Sequence, residues 1–329
     1  MSRTFWLLLA GLVAALLVPL LLGGSGLWAR LRVFPAPLLA TMLAMVMLGW
    51  WLNGWRLRLL LGQPLGGAHA LGIVVATEFA ICATPGGTGG PVTLMGLLAR
   101  QGVPPARGTA IFAVEHLCDL LFFLCALVGV LIFALTQAVN PYLGSLLGIS
   151  AALLLGGLAL LGLLGRYHRQ VFRLNGRLIT RLGMSRGRQY RWARKVLDFR
   201  NALMASFRLP RTVLLAVFAL TVVHWLLRYS VLYLTLRGLG SEIAWAWTFL
   251  VQILALTAGQ LSLLPGGAGS AELASAALLT PLVGAPVSAA AIVIWRFVTY
   301  YFYLIVGAPV FLILAGRPFL RALLRTRRA

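Results

Sequence analysis

The sequence predicts an all-α polytopic membrane protein, built as an inverted-topology repeat with two re-entrant glycine-turn helical hairpins. Three observations lead to this fold class. The 329 residues are 61% hydrophobic and 10% charged, with a mean hydropathy of +0.95, whereas a soluble domain of this size needs far more polar surface. Several apolar runs reach the roughly 20 residues that a helix needs to cross a bilayer. Two similar glycine-rich motifs, TPGGTGGP from Thr84 and PGGAGS from Pro265, interrupt such runs.

The apolar runs predict about six full spans in addition to the two hairpins. The run near the N-terminus is longer than the usual apolar region of a signal peptide, so we expect it to be a retained span. We treat residues 1–329 as a single integral membrane domain, with the first repeat at about 36–165 and the second at about 212–315. A basic loop at about 166–211 separates the repeats, and a basic tail at 316–329 follows them. The expected spans are 5–23, 36–55, 107–135, 143–165, 212–236 and 287–315.

The charge pattern predicts the orientation. The net charge of +22 comes from 28 basic and 6 acidic residues, and the basic residues cluster in the loop 166–211 and in the tail. The positive-inside rule makes both segments cytoplasmic, together with the short loop expected at Arg56 and Arg58. We therefore expect a multi-pass protein of the bacterial inner (cytoplasmic) membrane with both termini cytoplasmic, and no nucleic acid as a partner. Tryptophans are expected in the interfacial belts, among them Trp50, Trp51 and Trp55.

The loop 166–211 carries arginines at every third or fourth position from Arg166 to Arg181, interleaved with apolar residues. This spacing is typical of a basic amphipathic helix that lies on a membrane surface. The helix could dock anionic headgroups or a partner, or it could simply be an orientation signal that rests on the headgroups. An oligomer is also compatible with the sequence.

The two glycine motifs predict the centre of the fold. The segment 68–100 would enter from the cytoplasm and the segment 244–283 from outside, and each would break near the bilayer interior. Non-helical backbone exists at that depth only where it is buried in protein or lines a wet cavity. Inverted repeats with discontinuous helices that meet at the midplane recur in secondary transporters, although the turns could also be simple packing hinges. An offset of about 180 residues aligns Pro85, Gly86, Gly87 and Gly89 with Pro265, Gly266, Gly267 and Gly269.

Charged residues inside apolar helices are the candidate binding groups. Each acid there costs about 2.5–3.5 kcal/mol near the bilayer centre, so partners or water are expected. Arg228 and Arg296 could hold a phosphate through paired hydrogen bonds, and Arg296 is close enough in sequence to pair with Glu272. The same set could instead be structural ion pairs between helices. The acids in or beside apolar helices could neutralise these arginines, carry protons or bind an ammonium headgroup. They are Glu78, Glu115, Asp119 and Glu272.

Other chemistries have weaker support. Glu115, His116 and Asp119 are metal-ligating residue types, but His116 points about 100° away from the face that the two acids share. Neither a nucleophile motif nor a phosphate-binding loop with Lys-Ser/Thr is present. We expect no catalytic residue, no metal and no cofactor, and the three cysteines are expected to be small packing residues.

These motifs resemble those of one family. The Pro-Gly-Gly-x-Gly turn recurs, the second time with an acid at Glu272 and an Arg-Tyr-rich span from Arg296 to Tyr301. The chain is similar, over roughly 40–315, to the flippase-like family of bacterial membrane proteins related to the transmembrane region of lysylphosphatidylglycerol synthases. The first repeat departs from the family pattern, because Gly90-Pro91-Val92 lacks the usual acid and His116 replaces an arginine.

The resemblance implies movement of a phospholipid, or of a lipid-linked headgroup, between leaflets. It does not imply synthesis of lysylphosphatidylglycerol, which we expect of an additional soluble domain for which the chain has no room. We therefore expect a lipid flippase or transporter and not an enzyme. Two alternatives remain: an intramembrane enzyme that acts on lipid phosphates, with Glu115, His116 and Asp119 as its only candidate site, and a non-catalytic scaffold that recruits partners through 166–211.

Overall fold

A computed structural model describes residues 3–62, 64–136, 144, 147–159, 163, 166, 194, 197–198, 201–206, 208–260, 262 and 264–325. All regular elements in these residues are helical. The chain divides into two compact units, of which the first comprises residues 1–102 and 219–329 and the second comprises residues 103–218. Most of the basic loop 166–211, including the expected amphipathic helix, lies outside the described residues.

The first unit contains most of the described helices, two of which are joined by a five-residue π-helical segment. Before the first glycine turn come α1 (Arg3–Val33), α2 (Ala36–Leu61) and α3 (Gly67–Ala83), and α4 (Gly89–Arg100) follows it. From residue 219 onward the unit contains the larger part of α7 (Arg211–Gly238), and then α8 (Trp245–Gln260), α9 (Ser270–Val283) and α10 (Ala285–Arg296). The π segment Phe297–Tyr301 connects α10 directly to α11 (Phe302–Arg325).

The second unit contains α5 (Pro105–Leu135), the shorter apolar helix α6 (Leu147–Ala159) and the start of α7. Across both units, four helical stretches in the described part are long and apolar enough to cross a membrane: Ala36–Leu61, Pro105–Leu135, Arg211–Gly238 and Ala285–Gly316. The expected span at 5–23 lies within α1, and the one at 143–165 lies only partly within the described residues. The chain is thus an all-helical, multi-pass membrane protein.

Proline and glycine set several of the helix boundaries, as the sequence predicts. Helix α2 follows Pro35 and ends at Gly62, which has a left-handed φ of 57° and donates its N–H to the Arg58 carbonyl at 3.2 Å. Such a C-cap satisfies a carbonyl that the last turn leaves open. Helix α3 ends at Thr84, whose extended backbone is the one favoured before a proline.

Small residues allow α3 to pack closely between α2 and α11. A Cβ on Gly54 of α2 would lie 3.4 Å from the Leu71 amide nitrogen, and one on Gly307 of α11 would lie 2.5 Å from Cβ of Phe79. Close backbone approach at small residues is the usual way in which helices associate inside membranes. This packing therefore fixes the position of the C-terminal end of α3, and of the first glycine turn, within the first unit.

A polar seam joins α2 to α7 and corrects one expectation. Arg56, which we expected in a cytoplasmic loop, lies within α2, is 7% exposed and donates to the Thr221 hydroxyl at 3.1 Å. One helical turn away, the Asn53 amide nitrogen lies 3.4 Å from both ring nitrogens of the buried His224. The spacing of three residues on both helices places the four side chains on matching faces, where each side chain contacts a polar partner inside the apolar unit.

Trp50 is also wrongly expected at the membrane interface. It is 3% exposed, stacks on Phe302 with ring centroids 5.5 Å apart, and meets Tyr303 edge-on at 5.0 Å. Trp51 and Trp55, by contrast, are 49% and 43% exposed. A helix turns by about 100° per residue, so adjacent tryptophans face different surroundings, and a run of them cannot be assigned to the interface as a group.

Candidate functional site: a polar cavity at two glycine turns

The two glycine motifs fold into turns of the same geometry. In the first turn, the Gly87 N–H donates to the Thr84 carbonyl at 3.2 Å and the Thr88 N–H to the Pro85 carbonyl at 3.3 Å. The second turn repeats both bonds 180 residues later, from Gly267 to Leu264 and from Ala268 to Pro265, at 3.2 Å each. The two glycines of each turn have left-handed φ values, which are 57° and 68° in the first and 61° and 67° in the second. Residues with a Cβ rarely adopt this conformation, which is why both turns need glycine pairs.

The two turns meet each other inside the first unit. Pro85 and Pro265 form an isolated antiparallel β-bridge. Because proline has no N–H, the backbone groups that flank each proline must make this bridge. An antiparallel pairing of equivalent residues is locally two-fold symmetric. The interruptions in the two hairpins, distant in sequence, are thus adjacent in space.

The second turn is fixed in place by Tyr300. A Cβ on Gly266 would lie 2.1 Å from the Tyr300 ring, so the ring occupies the space that any other side chain would need. The Tyr300 hydroxyl donates to the Pro265 carbonyl at 3.3 Å. Tyr300 is only 1% exposed and therefore packs the turn against the interior of the unit.

Arg296 and Glu272 form a buried ion pair beside the same turn. The Arg296 Nε donates to the Glu272 Oε1 at 2.5 Å, and the two side chains are 4% and 0% exposed. The guanidinium also donates from Nη2 to the Gly266 carbonyl at 3.1 Å and lies 4.6 Å from the Tyr300 ring centroid. The expected partner of Arg296 is therefore its actual partner, and the pair connects α9 and α10 to the turn.

Arg228 on α7 forms a second and looser ion pair. Its Nη1 lies 3.6 Å from the Glu78 Oε2, with side-chain exposures of 19% and 16%, and donates to the Tyr303 hydroxyl at 3.1 Å. The guanidinium also lies over the rings of Tyr303 and Trp225, at 5.0 and 5.7 Å from their centroids. These contacts hold the cationic end of Arg228 by aromatic faces and a hydroxyl group more than by its carboxylate.

A cavity of about 70 Å³ brings these groups together. Both turns contribute backbone to its wall, and both arginines contribute side chains. No acidic residue in the described part lines the cavity. Glu78 and Glu272 contact the arginines but do not themselves form part of the wall. Polar side chains on three helices and the π segment complete the wall, together with Gly86, Gly87, Gly266 and Gly267: Arg228, Tyr229, Gln252, Gln260, Arg296, Thr299 and Tyr300.

Comparisons with known proteins fit this architecture. Residues 7–307 match the family described as the lysylphosphatidylglycerol synthase TM region. The chain belongs to this family. It is also similar to a protein of Archaeoglobus fulgidus described as a UPF0104 membrane protein, at 24% identity over 270 residues that cover 79% of this chain and 81% of that protein.

Two features of the site in this member of the lysylphosphatidylglycerol synthase TM-region family were not expected from its sequence. The Gln252 side chain lies in the wall, where its oxygen accepts the Trp295 indole N–H at 3.0 Å and its nitrogen donates to the Tyr229 carbonyl at 2.6 Å. The π segment Phe297–Tyr301 follows Arg296 directly and supplies Thr299 and Tyr300. Single π turns within α-helices occur frequently at functional sites. A glutamine in the middle of an apolar helix could have indicated the first feature, whereas the π segment has no sequence signature.

The other expected site residues have different surroundings. Gly89 begins α4 and donates its N–H to the Thr84 hydroxyl oxygen at 2.8 Å, while Gly269, with a φ of 82°, is the N-cap of α9. Several amides of the turns are thus already bonded within the turns. Glu115, His116 and Asp119 belong to the second unit, whereas the cavity is lined by the first unit alone.

The three side chains of this trio in the second unit differ in their exposure. Glu115 is 8% exposed, Asp119 is half-buried and His116 is exposed. The His116 ring packs on Phe112 with centroids 3.9 Å apart, and its Nδ1 lies 3.0 Å from the Phe112 carbonyl oxygen. Among the described residues, the structure contains no group of three metal-ligating side chains.

Proposed function

We propose that this protein is a lipid flippase or transporter that moves a phospholipid, or a lipid-linked headgroup, between leaflets through the polar cavity at the two turns. The observation that carries the proposal is the meeting of Pro85 and Pro265 beside a cavity that both arginines line. Charged side chains inside a membrane are costly, and they usually mark a substrate path when they face a cavity. The acyl chains would stay in the lipid while the headgroup crosses the cavity.

Arg228 and Arg296 are the two candidates for contact with the phosphate of the headgroup. A guanidinium offers parallel hydrogen bonds that match the geometry of phosphate oxygens. Glu78 and Glu272 neutralise the arginines when no headgroup is present, so the empty cavity carries no net charge that would have to be stabilised in hydrocarbon. Gly86 and Gly266 contribute backbone and no side chain to the wall of the cavity.

Helix lengths support the proposal that both hairpins are re-entrant. Helix α4 has 12 residues and α9 has 14, which at 1.5 Å per residue gives about 18 and 21 Å. Both lengths are shorter than the hydrocarbon core of about 30 Å. Two hairpins of half length, entering from opposite faces and meeting at equivalent prolines, would form the inverted repeat seen in alternating-access transporters.

The proposed setting is the bacterial inner membrane, with both termini in the cytoplasm. The basic tail 316–329 and the loop 166–211 would then face anionic headgroups, which attract polybasic segments. The partners we propose are therefore the transported lipid and the anionic lipids of the inner leaflet.

We further propose that the protein moves lipid without converting it. Glu115, His116 and Asp119 are the only candidates for an enzyme acting on lipid phosphates, and the exposed His116 shares no face with a buried carboxylate. Incubation with phospholipid in detergent, where no leaflets exist, separates the two functions. Unchanged lipid on mass spectrometry supports transport, and a new product would support the enzyme.

Leaflet exchange in liposomes tests the proposed function. The purified protein is reconstituted with a fluorescent phospholipid, and dithionite is added to bleach the label that reaches the outer leaflet. We expect exchange by the wild type and at least a tenfold loss of rate in Arg228→Gln, since the charge-assisted hydrogen bonds to phosphate are lost. Arg237→Gln is the matched control, because Arg237 lies on the same helix, is exposed, is not part of the cavity wall and contacts the Tyr233 side chain. Equal rates in both variants would contradict the proposal.

A further inference from the structure

The two arginines of the cavity hold their carboxylates in different ways. Arg296 and Glu272 are almost completely buried, at 4% and 0% exposure, and Arg296 also donates to the Gly266 carbonyl. Arg228 and Glu78 are 19% and 16% exposed, and their closest approach of 3.6 Å is longer than a hydrogen bond. The Arg296–Glu272 pair is part of the interior of the unit, whereas the Arg228–Glu78 pair is accessible enough for Arg228 to exchange its ionic partner.

Arg296 is unsuited to releasing its partner. Glu272 has no exposed surface, and its second oxygen, Oε2, has no hydrogen-bond partner among the described residues. Separation of the pair would leave a buried carboxylate without compensation, which is strongly unfavourable. It would also remove the bond from Arg296 to the second turn. Arg296 is therefore a positioning residue for that turn.

Arg228 is suited to exchange. Its contacts with Glu78 and with the Tyr303 hydroxyl both use Nη1. Within the described structure, Nε and Nη2 make no further hydrogen bond, so these donors can face a ligand in the cavity. The rings of Trp225 and Tyr303 hold the guanidinium in position when the carboxylate leaves. Glu78, at 16% exposure, can take up water when it is displaced.

We propose that Arg228 is the headgroup-binding cation of the cavity, that a lipid phosphodiester displaces Glu78 from it, and that the transported lipid carries a net negative headgroup. This inference rests on the proposed function. A phosphodiester supplies at Arg228 the counter-charge that Glu78 supplies when no headgroup is bound, while the displaced Glu78 carboxylate is hydrated through its exposed surface. The reaction is an exchange of ionic partners, with no bond formed or broken.

The wall of the cavity favours an anionic over a cationic or zwitterionic headgroup. A lipid amine needs a carboxylate or an open aromatic face. No acid in the described part of the chain lines the cavity. Of the aromatic rings in its wall, those of Trp295 and Tyr300 already face the Arg296 guanidinium, and that of Tyr229 packs against Phe249. The remaining polar wall groups, such as Gln260 and Thr299, are neutral and suit the hydroxyl groups of a glycerol-type headgroup.

Binding of short-chain phosphatidylglycerol and phosphatidylcholine to the detergent-purified full-length protein tests this inference. We expect the phosphatidylglycerol to bind at least tenfold more tightly. The Glu78→Gln variant removes the competing carboxylate but keeps the shape of the side chain, and should bind phosphatidylglycerol more tightly by about threefold or more. Arg228→Gln should weaken binding at least tenfold, since a charged hydrogen bond is lost, and Arg237→Gln should leave it unchanged.

The outcomes separate this inference from the proposed function. Weaker phosphatidylglycerol binding in Glu78→Gln, or equal affinity of the wild type for both lipids, would overturn the inference. If Arg228→Gln fails to fold, the expected increase in the affinity of Glu78→Gln for phosphatidylglycerol still tests the inference. The expected affinity pattern without leaflet exchange in liposomes would support this site and refute transport. Exchange at equal rates for both lipids would support transport and refute the anionic selectivity.

Discussion

Glu272 carries a charge that is costly to bury, and it also helps to determine the fold. A carboxylate with no exposed surface is tolerated only because Arg296 lies 2.5 Å away and connects it to the second turn. The sequence predicted this pair, since both residues fall in consecutive apolar segments where an isolated charge is costly. It did not assign Glu78 to Arg228, because nothing in the spacing of residues on α3 and α7 relates the two.

Breaking the buried pair from one side should destabilise the protein strongly. We expect Arg296→Gln to lower the free energy of unfolding by about 3–5 kcal/mol, since it leaves Glu272 buried without a counter-charge. The double variant Arg296→Gln/Glu272→Gln should recover part of this loss. Thermal unfolding in detergent measures both changes, and a double variant less stable than Arg296→Gln would contradict the role of the pair.

Gly266 should not tolerate a side chain. Its φ of 61° and the Tyr300 ring 2.1 Å from an added Cβ make Gly266→Ala both strained and overpacked, and strain alone costs about 1–3 kcal/mol. Gly96→Ala is the matched control, because Gly96 lies within α4 and an added Cβ meets nothing within 4 Å. The melting temperature of Gly266→Ala should fall while that of Gly96→Ala stays or rises. Equal melting temperatures would show that the turn is not packed in this way.

At the scale of the elements, the sequence predicted most of the helices and both interruptions. Pro85 follows the end of α3 closely, and each interruption combines a proline with a glycine pair, so both breaks could be predicted from the chain. The seam from Asn53 and Arg56 to Thr221 and His224 was missed, although the common spacing of three residues on two apolar helices was a usable signal. The π segment was missed because a single inserted residue leaves no pattern in a uniformly apolar helix.

The proposed re-entrant hairpins make a prediction about accessibility. Cysteines introduced at Gly66 and Gly102, which flank the first hairpin, should react with an impermeant thiol reagent from the same side of sealed vesicles. Cysteines at Ala244 and Gly284, which flank the second, should both react from the opposite side. The background is the variant in which Cys82, Cys118 and Cys125 are replaced by alanine. Labelling of Gly66→Cys and Gly102→Cys from different sides would mean that the first hairpin crosses the membrane.

At the scale of the whole molecule, the account depends on the two turns acting as one centre. The repeated motif predicted that the turns are equivalent, and the bridge between Pro85 and Pro265 brings them together. The composition of the cavity could not be predicted in the same way. Gln252, Thr299 and Tyr300 are ordinary residues of apolar helices, and only tertiary packing turns them towards a common space.

The most direct test of this central claim is leaflet exchange by a cross-linked protein. Pro85→Cys/Pro265→Cys, made in the cysteine-free background, places two thiols at directly opposed positions of the bridge, where strand partners lie about 4.5–5.5 Å apart between Cα atoms and a disulfide can form. If the turns must part for a headgroup to pass, oxidation should abolish exchange, reduction should restore it, and the single-cysteine variants should be insensitive to both. Full exchange by the oxidised, quantitatively cross-linked protein would contradict the account.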